Sequence, residues 1–196
     1  MEAAPAPTRQ WTIDGRRIAL FDGLLPNVGD FVRGLDAASF SRTEVARPET
    51  AEHRHWASPI RIEALLPQPL YATTMGALRQ FDPATTYQPY RAYTNVAGFG
   101  DMLFTHVDCL PGQGDLTALW YMCDRWDVEW GGETVFLDAD GEIAASILPR
   151  PGRLVIFDGA LRHAGRPPAR ICYVPRYTLA IKFEPVAMQG PPRTTR

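Results

Sequence analysis

The sequence predicts a mainly β protein with flanking helices, folded as a double-stranded β-helix, or jelly roll, of the kind found in cupins. Three observations indicate this fold class. The chain has 196 residues, which suits one domain with a single apolar core. From about residue 86 onward, short apolar or alternating runs are separated by Gly, Pro and Asp, as is typical of strands. Two helical patterns precede these runs, so we expect the helices to pack outside the sheets.

Two groups of sequence runs are candidate strands. The N-terminal pair flanks an Asp14-Gly15 step, which is typical of a hairpin turn, and extends from Trp11 to Ile13 and from Arg17 to Phe21. Seven later runs lie at 87–95, 102–108, 116–123, 133–137, 143–148, 153–157 and 174–183. Together they reach the number of strands in an eight-stranded jelly roll.

Two helices are predicted between the hairpin and the later strands. Asn27 is placed to cap the first helix, whose apolar residues recur at helical spacing as Val28, Phe31, Val32 and Leu35. The second helix follows Pro69, and one of its faces is made of Leu70, Thr74, Leu78 and Phe81.

The folded domain is expected to cover residues 9–187, between mobile tails at 1–8 and 188–196. Both tails are rich in Pro and in small or polar residues. The start of the chain lacks the basic region and apolar core of a secretory signal. A cytoplasmic location is therefore expected by default.

Composition argues against several classes of partner. The formal net charge is -2 and the pI is about 6.1, so no general attraction to nucleic acid or to an anionic membrane is expected. No stretch approaches the roughly twenty apolar residues of a membrane helix. The three cysteines contain no Cys-x-x-Cys pair, which argues against a disulfide framework and a structural zinc site. The oligomeric state stays open.

A metal site is predicted from two separate segments. Residues two apart in a strand point to the same face, so His106 and Asp108 can reach one ion while Val107 points away. His163 follows the strongly apolar run 154–157. Two imidazoles and one carboxylate on one side of a metal leave three positions open, the facial arrangement that favours Fe(II) for oxygen chemistry.

The metal-site prediction needs more support than the His-x-Asp tripeptide alone, and the two other histidines are not expected to be ligands. A chain with four histidines and thirteen aspartates readily contains a His-x-Asp tripeptide by chance, so the tripeptide alone is weak evidence. His53 and His55 lie in a polar stretch, and we expect them to be solvated or to lie behind the ligands.

Several blocks occur in a fixed order along about residues 87–184. They are Tyr93, His106-Val107-Asp108, Leu119-Trp120-Tyr121-Met122, Trp126-Asp127, Gly131-Gly132-Glu133-Thr134-Val135-Phe136, Pro151-Gly152-Arg153-Leu154-Val155-Ile156-Phe157-Asp158, His163-Ala164-Gly165 and Arg176-Tyr177-Thr178-Leu179. In this order the sequence resembles the prolyl 4-hydroxylase-like branch of the 2-oxoglutarate/Fe(II)-dependent oxygenases.

The resemblance implies an enzyme with Fe(II) as cofactor and with 2-oxoglutarate and O2 as cosubstrates. Such enzymes convert 2-oxoglutarate to succinate and CO2 and use the resulting oxidant to remove hydrogen from a C–H bond. Hydroxylation is the expected outcome, whereas desaturation, epoxidation and ring closure start from the same oxidant and stay open. Related halogenases replace the carboxylate ligand with a small residue, so the presence of Asp108 argues against halogenation.

The resemblance also implies a binding site for the cosubstrate. Arg176 is expected to pair with the far carboxylate of 2-oxoglutarate, because a guanidinium offers two parallel donors. Thr178 lies two residues on, hence on the same face, and can donate a hydroxyl hydrogen bond. The spacing from His163 to Arg176 is longer than is usual in the family, so Arg170 is the fallback.

Two tyrosines match positions that contact the cosubstrate in some relatives. For Tyr93 and Tyr121 we weigh a hydrogen bond to 2-oxoglutarate against simple packing in the barrel. Four arginines are placed to steer an anionic group, although solvated surface positions are the simpler interpretation: Arg54, Arg91, Arg125 and Arg162.

As substrate we favour a small metabolite, such as an amino acid, a sugar or a natural-product intermediate, because the compact domain shows no peptide-binding appendage. A protein residue, as in the prolyl hydroxylases, is the first alternative. A metal-binding cupin isomerase or hydrolase that works without oxygen, and a non-catalytic binding module, are the others.

Overall fold

Eleven strands in the described part of the chain form two antiparallel sheets. The computed structural model describes residues 6–186. The strands are β1 (Arg9–Ile13), β2 (Arg16–Phe21), β3 (Ser41–Glu44), β4 (His55–Ile60), β5 (Tyr87–Ala97), β6 (Leu116–Met122), β7 (Thr134–Leu137), β8 (Ile143–Ile147), β9 (Leu154–Asp158), β10 (Arg162–Gly165) and β11 (Arg176–Pro185). The helices are α1 (Val28–Asp36), α2 (Ile62–Leu65) and α3 (Pro69–Phe81). The predicted mainly β fold with two sheets and flanking helices is confirmed.

Strand β11 lies inside the larger sheet. That sheet has the order β1-β2-β9-β6-β11-β5-β4-β3, and the smaller sheet has the order β10-β7-β8. Strand β11 pairs with β5 on one side and with β6 on the other. An isolated bridge between His106 and His163 attaches the segment before β6 to β10, at the edge of the smaller sheet.

The larger sheet buries a different set of side chains on each face, because side chains alternate across a strand. Trp120 and Tyr121, neighbours in β6, show this division. Trp120 packs with the helices, and its indole N–H donates to Thr74 Oγ1 of α3 at 2.9 Å. Tyr121 packs between the two sheets with Phe136 and Phe157. The second face therefore borders the interior of the jelly roll.

The predicted hairpin and both predicted helices are present. Asp14 (φ 50°) and Gly15 (φ 76°) join β1 to β2, and both have the positive φ that a two-residue hairpin turn of the primed type requires. Helix α3 buries all four residues predicted for its inner face. Helix α1 begins directly after Asn27, but the Asn27 side chain makes no capping hydrogen bond.

The candidate strand at 102–108 is wrong, and three strands were not predicted. Within 102–108 only His106 makes a β-bridge. Just before this segment, the Asp101 carboxylate accepts the Gly98 N–H at 2.8 Å and closes a turn. The missed strands β3, β4 and β10 are short, and β3 is polar. Their strand conformation comes from pairing with distant neighbours, which local pattern does not reveal.

The ends of the chain lie partly outside the described residues. Residues 1–5 and 187–196 are not described, so the predicted tails and domain limits stay predictions. Thr8, within the predicted N-terminal tail, donates its backbone N–H to Leu20 O at 2.7 Å. Among residues 6–186, no helix has the length and apolar character needed to cross a membrane.

Candidate metal and cosubstrate site

Three side chains from two distant segments converge beside the core between the sheets: His106, Asp108 and His163. One ligand atom of each lies within 4.8 Å of the others. The His106 Nε2 atom is 3.5 Å from Asp108 Oδ1, and the His163 Nε2 atom is 3.7 Å from Asp108 Oδ2. Two imidazole nitrogens and a carboxylate at these distances can hold one metal ion. These are the three residues that the sequence predicts as ligands.

Backbone hydrogen bonds hold the two segments together. His106 and His163 exchange N–H···O bonds of 2.9 Å in both directions, and the Asp108 N–H donates to Gly159 O at 2.7 Å. Strand alternation predicted the same convergence, but residues 102–108 make no strand. The bridge to His163 and the hydrogen bond to Gly159 therefore position the His106 and Asp108 side chains, in place of the predicted strand.

Each histidine presents its Nε2 atom to the cluster. The His106 Nδ1 atom lies 3.0 Å from Phe104 O, and the His163 Nδ1 atom lies 2.9 Å from Leu161 O. A carbonyl oxygen only accepts hydrogen bonds, so both Nδ1 atoms carry the proton and both Nε2 atoms keep a lone pair. This is the tautomer that a metal-binding histidine needs.

The pKa shifts of His163 and Asp108 also favour the protonation states that a metal ion requires. Burial lowers the pKa of His163 to about 4, against the opposing effect of the Asp108 carboxylate, so the imidazole is neutral near pH 7. Burial alone raises the pKa of Asp108, but the positive charge of Lys182 is the largest of the effects that outweigh it and hold that pKa well below its ordinary value. The cluster thus offers a neutral His163 imidazole and an ionised Asp108 carboxylate.

A buried lysine, which the sequence analysis did not assign to the site, contacts the carboxylate. The Lys182 ammonium pairs with Asp108 Oδ2 and also donates to Thr117 Oγ1 at 3.2 Å. Thr117 Oγ1 in turn donates to the same Oδ2 atom at 2.6 Å. Lys182 is the only lysine of the chain and follows Arg176 by an even number of residues, so strand alternation could have placed it on the same face.

Arg176 is buried at the first residue of β11, with 4% of its surface exposed. Its Nε atom donates to Gly132 O at 2.5 Å, and its Nη2 atom donates to Thr134 Oγ1 at 3.0 Å. Both of these acceptors, a backbone carbonyl and a hydroxyl group, are neutral. Burial lowers the pKa of Arg176. A buried cation among neutral groups is suited to an anionic ligand.

Gly132 lets the backbone approach Arg176 closely. It has φ 74°, and a Cβ atom there would lie 2.9 Å from the Trp126 ring and 3.3 Å from Arg176 Cδ. Gly131 and Gly132 both have positive φ and lead into β7. The Gly-Gly pair therefore also makes room for the arginine.

An inner cavity of about 60 Å³ connects the arginine to the cluster. Its lining includes Arg176, Thr178, Tyr93, His106 and His163. Four of the predicted cosubstrate or metal residues thus border one space with Arg176. Arg170, the fallback, is exposed.

Tyr121 takes a different position from Tyr93. Its hydroxyl lies 2.6 Å from Thr134 Oγ1 and 3.0 Å from Ile147 O, and its ring centroid is 5.4 Å from the Arg176 guanidinium carbon. The hydroxyl group of Tyr121 is therefore already engaged by the protein.

An outer cavity of about 570 Å³ opens onto the cluster from the side of β4 and β5. Its lining includes His55, Asn95, Asp108 and Lys182. His53 is exposed, whereas His55 is buried at the start of β4 and lines both cavities beside His106, so the two histidines take the two kinds of position expected for them. Burial is the main cause that lowers the pKa of His55.

The four arginines singled out from the sequence lie in different places. Arg91 lines the outer cavity and pairs with Glu44 at 2.5 Å. Arg162 lines a third cavity, of about 950 Å³, beside His106. Arg54 and Arg125 are exposed.

Fold and site together define a class: a jelly-roll protein with a two-histidine, one-carboxylate cluster and a buried arginine behind it. The model of the 2OG-Fe(II) oxygenase superfamily matches residues 90–183. The matched region is therefore identified as a 2-oxoglutarate/Fe(II)-dependent oxygenase, with Fe(II) as cofactor and 2-oxoglutarate and O2 as cosubstrates. The resemblance stated from the sequence is confirmed. None of the curated proteins compared with the chain matches it.

Solved structures with the same fold include enzymes of several kinds, and the three described below are each no more than 16% identical to this chain. A prolyl hydroxylase from Trichoplax adhaerens, in complex with a peptide of the hypoxia-inducible factor degradation domain, is 15% identical; the match covers 85% of this chain and 83% of that one, with a TM-score of 0.66. The 2-oxoglutarate-dependent epimerase SnoN from nogalamycin biosynthesis is 16% identical over 85% and 76%, with a TM-score of 0.60. HygX from Streptomyces hygroscopicus, with nickel and 2-oxoglutarate bound, is 14% identical over 86% and 82%, with a TM-score of 0.59.

Proposed function

We propose that the protein is a dioxygenase that hydroxylates an unactivated C–H bond of a small metabolite, with release of succinate and CO2. In this proposal His106, Asp108 and His163 hold Fe(II), and Arg176 binds the far carboxylate of 2-oxoglutarate. One observation carries the assignment: a buried arginine with neutral hydrogen-bond acceptors borders the same inner cavity as the two histidines. A metal-binding cupin isomerase or hydrolase that works without oxygen would have no use for that cation.

Each residue of the site has a defined task. Fe(II) held by these residues would supply the activation of O2, with oxidation of 2-oxoglutarate to succinate and CO2 as the source of electrons. Both histidines offer Nε2 lone pairs because their Nδ1 protons are donated to backbone carbonyls. Phe157 packs edge-on to His163, with ring centroids 4.7 Å apart, which excludes water from that side of the ligand. Arg176 orients the cosubstrate by a charge-assisted, two-donor contact.

The size of the outer cavity supports a small substrate. About 570 Å³ lies within the range of roughly 300–1,000 Å³ that small-molecule sites occupy. The presence of Asp108 supports hydroxylation over halogenation, since the carboxylate occupies a position that a halide would need. The predicted cytoplasmic location and small-molecule partner belong to this same proposal.

A protein residue is the second candidate substrate. It is favoured by the similar prolyl hydroxylase, which is described in complex with a peptide, and by apolar side chains on the segment that precedes His106. Phe99 is 64% exposed and Met102 is 56% exposed, so both could contact a bound chain.

The proposal is tested by loading the protein with Fe(II) and 2-oxoglutarate under nitrogen and recording the weak visible charge-transfer band. We expect a band in the wild type and roughly a hundredfold weaker 2-oxoglutarate binding in Arg176→Met, because contacts to a buried charge contribute about 1.5–3 kcal/mol each. Arg170→Met, at an exposed arginine of the same region, is the matched control and should bind normally.

Three outcomes separate the candidates. A wild type without the band, or Arg176→Met with unchanged affinity, contradicts the assignment. Succinate formation on admission of O2 rejects a non-catalytic binding module. Stimulation of succinate formation by a peptide library, but not by small metabolites, would favour the protein substrate.

A further inference from the structure

Two buried polar atoms point into the cavities beside the metal cluster without a hydrogen-bond partner. They are His55 Nε2 on β4 and Asn95 Oδ1 on β5, and they are the buried side-chain atoms in residues 6–186 found in this condition. Buried polar atoms in folded proteins are nearly always paired. Two such atoms on neighbouring strands therefore indicate a place where a ligand completes the hydrogen bonding.

Both residues line the outer cavity as well as the inner one. His55 is 9% exposed and begins β4, and Asn95 lies opposite Thr178 of β11. The two cavities also share His106 and Lys182, so a ligand in the outer cavity lies next to the cluster. The unpaired atoms thus face the space from which a substrate reaches the metal.

The charges around this space do not cancel once the cofactors are bound. Among the residues that line the two cavities, the buried charges are two cations, Arg176 and Lys182, and one anion, Asp108. Fe(II) adds two positive charges and 2-oxoglutarate adds two negative charges, which leaves a net charge of about +1. A dry site with an uncompensated positive charge favours an anionic ligand.

The nearby pair of surface charges does not alter this sum. Arg91 and Glu44, which also line the outer cavity, form an ion pair with each other. The Lys182 ammonium lies 5.9 Å from the ring centroid of Tyr93, and both side chains line the two cavities. The positive charge of Lys182 is therefore close to both cavities. An anion in the outer cavity is therefore attracted toward the Lys182 end.

We propose that the outer cavity is the subsite of the primary substrate and that it takes a small carboxylic acid bearing an N–H or O–H group near the carboxylate. The N–H or O–H group donates to Asn95 Oδ1, His55 Nε2 completes the hydrogen bonding, and the carboxylate compensates the net positive charge of the loaded site. This inference rests on the proposed function and narrows its substrate class.

The first experiment uses the wild-type protein loaded with Fe(II) and 2-oxoglutarate under nitrogen. N-acetylated forms of the common amino acids are compared by calorimetry with the corresponding N-acetyl amides, which have the same N–H donor and lack the charge. At least one acid should bind at least tenfold more tightly than its amide. Equal affinity within every pair, or no binding by any member, overturns the subsite.

Variants then assign the contacts. Asn95→Leu should weaken binding of the preferred acid roughly tenfold, as expected for loss of one hydrogen bond. His55→Phe should weaken it as well. Asn27→Leu and His53→Phe are matched controls, since both side chains are exposed, and each should leave affinity unchanged.

The charge-transfer band separates this inference from the proposed function. If Asn95→Leu weakens 2-oxoglutarate binding and leaves the acid unaffected, the pair belongs to the cosubstrate site and the proposal is wrong. A band with no preference for acids rejects the subsite alone. A missing band in the wild type rejects the proposed function as well.

Discussion

The two ends of strand β11 each bury one cation, but they do so in opposite ways. At the start of the strand, Arg176 donates to the neutral groups Gly132 O and Thr134 Oγ1. Farther along the same face, Lys182 pairs with the carboxylate of Asp108. Among residues 6–186, no carboxylate forms an ion pair with Arg176, whereas Lys182 is paired with Asp108.

This difference suits the two cations to different roles: Arg176 to the binding of an anionic ligand, and Lys182 to the orientation of the Asp108 side chain. Arg176 keeps its charge available for an anion from outside the protein. Lys182 and Thr117 both contact Oδ2 of Asp108, and Oδ1 stays on the side of His106. The lysine end therefore orients a proposed metal ligand, whereas the arginine end is the proposed binding site for the far carboxylate of 2-oxoglutarate.

The sharpest way to test the comparison is to remove the carboxylate at the lysine end. Asp108→Asn should lower the free energy of unfolding of the metal-free protein by about 3–5 kcal/mol, because it leaves the buried Lys182 charge uncompensated. Denaturant unfolding with a chelator present measures this change. Adding Lys182→Met to Asp108→Asn should restore part of the stability.

The control for this prediction is Asp140→Asn, at an exposed aspartate, which should leave the unfolding midpoint unchanged. If Asp108→Asn unfolds at the wild-type midpoint, Lys182 does not depend on that carboxylate and the contrast between the two ends fails.

The arginine end is tested by filling the space beside it. Gly132→Ala should destabilise the protein by about 1–3 kcal/mol and also weaken 2-oxoglutarate binding, because the new Cβ would lie 3.3 Å from Arg176 Cδ and displace the guanidinium. Calorimetry and denaturant unfolding measure the two effects.

Gly15→Ala provides a matched control for backbone strain. Gly15 has a similar φ of 76°, and a Cβ there would meet no atom within 4 Å. It should lower stability and leave 2-oxoglutarate affinity unchanged. Equal affinities for Gly132→Ala and Gly15→Ala would show that the glycine does not position the arginine.

The smallest expected effect concerns the tyrosine beside Arg176. Tyr121→Phe should lower the unfolding free energy by about 1 kcal/mol through loss of the contacts with Thr134 and Ile147, and it should not change 2-oxoglutarate affinity. Tyr93→Phe is the comparison variant, because Tyr93 lines the inner cavity. A large loss of 2-oxoglutarate affinity in Tyr121→Phe would place its hydroxyl in the cosubstrate site instead.

Much of the fold was predictable from local patterns. The hairpin at Asp14-Gly15, the helix after Pro69 and most long strands follow from turn residues and apolar periodicity. Strands β3, β4 and β10 were missed because β3 is polar, β4 contains Pro59, and β10 has no β-branched residue. The segment 102–108 was misassigned, because an apolar run alone does not distinguish a strand from a turn that packs against the site.

The sequence by itself determined the fold class, the three residues of the cluster and the candidate arginine. These depend on the order of motifs and on residue types, both of which can be read along the chain. Tertiary structure alone decided that Lys182 meets Asp108 and that His55 and Asn95 face the same cavity. The physical reason is that these contacts join residues far apart in the chain, brought together by strand pairing and backbone bridges that no local pattern encodes.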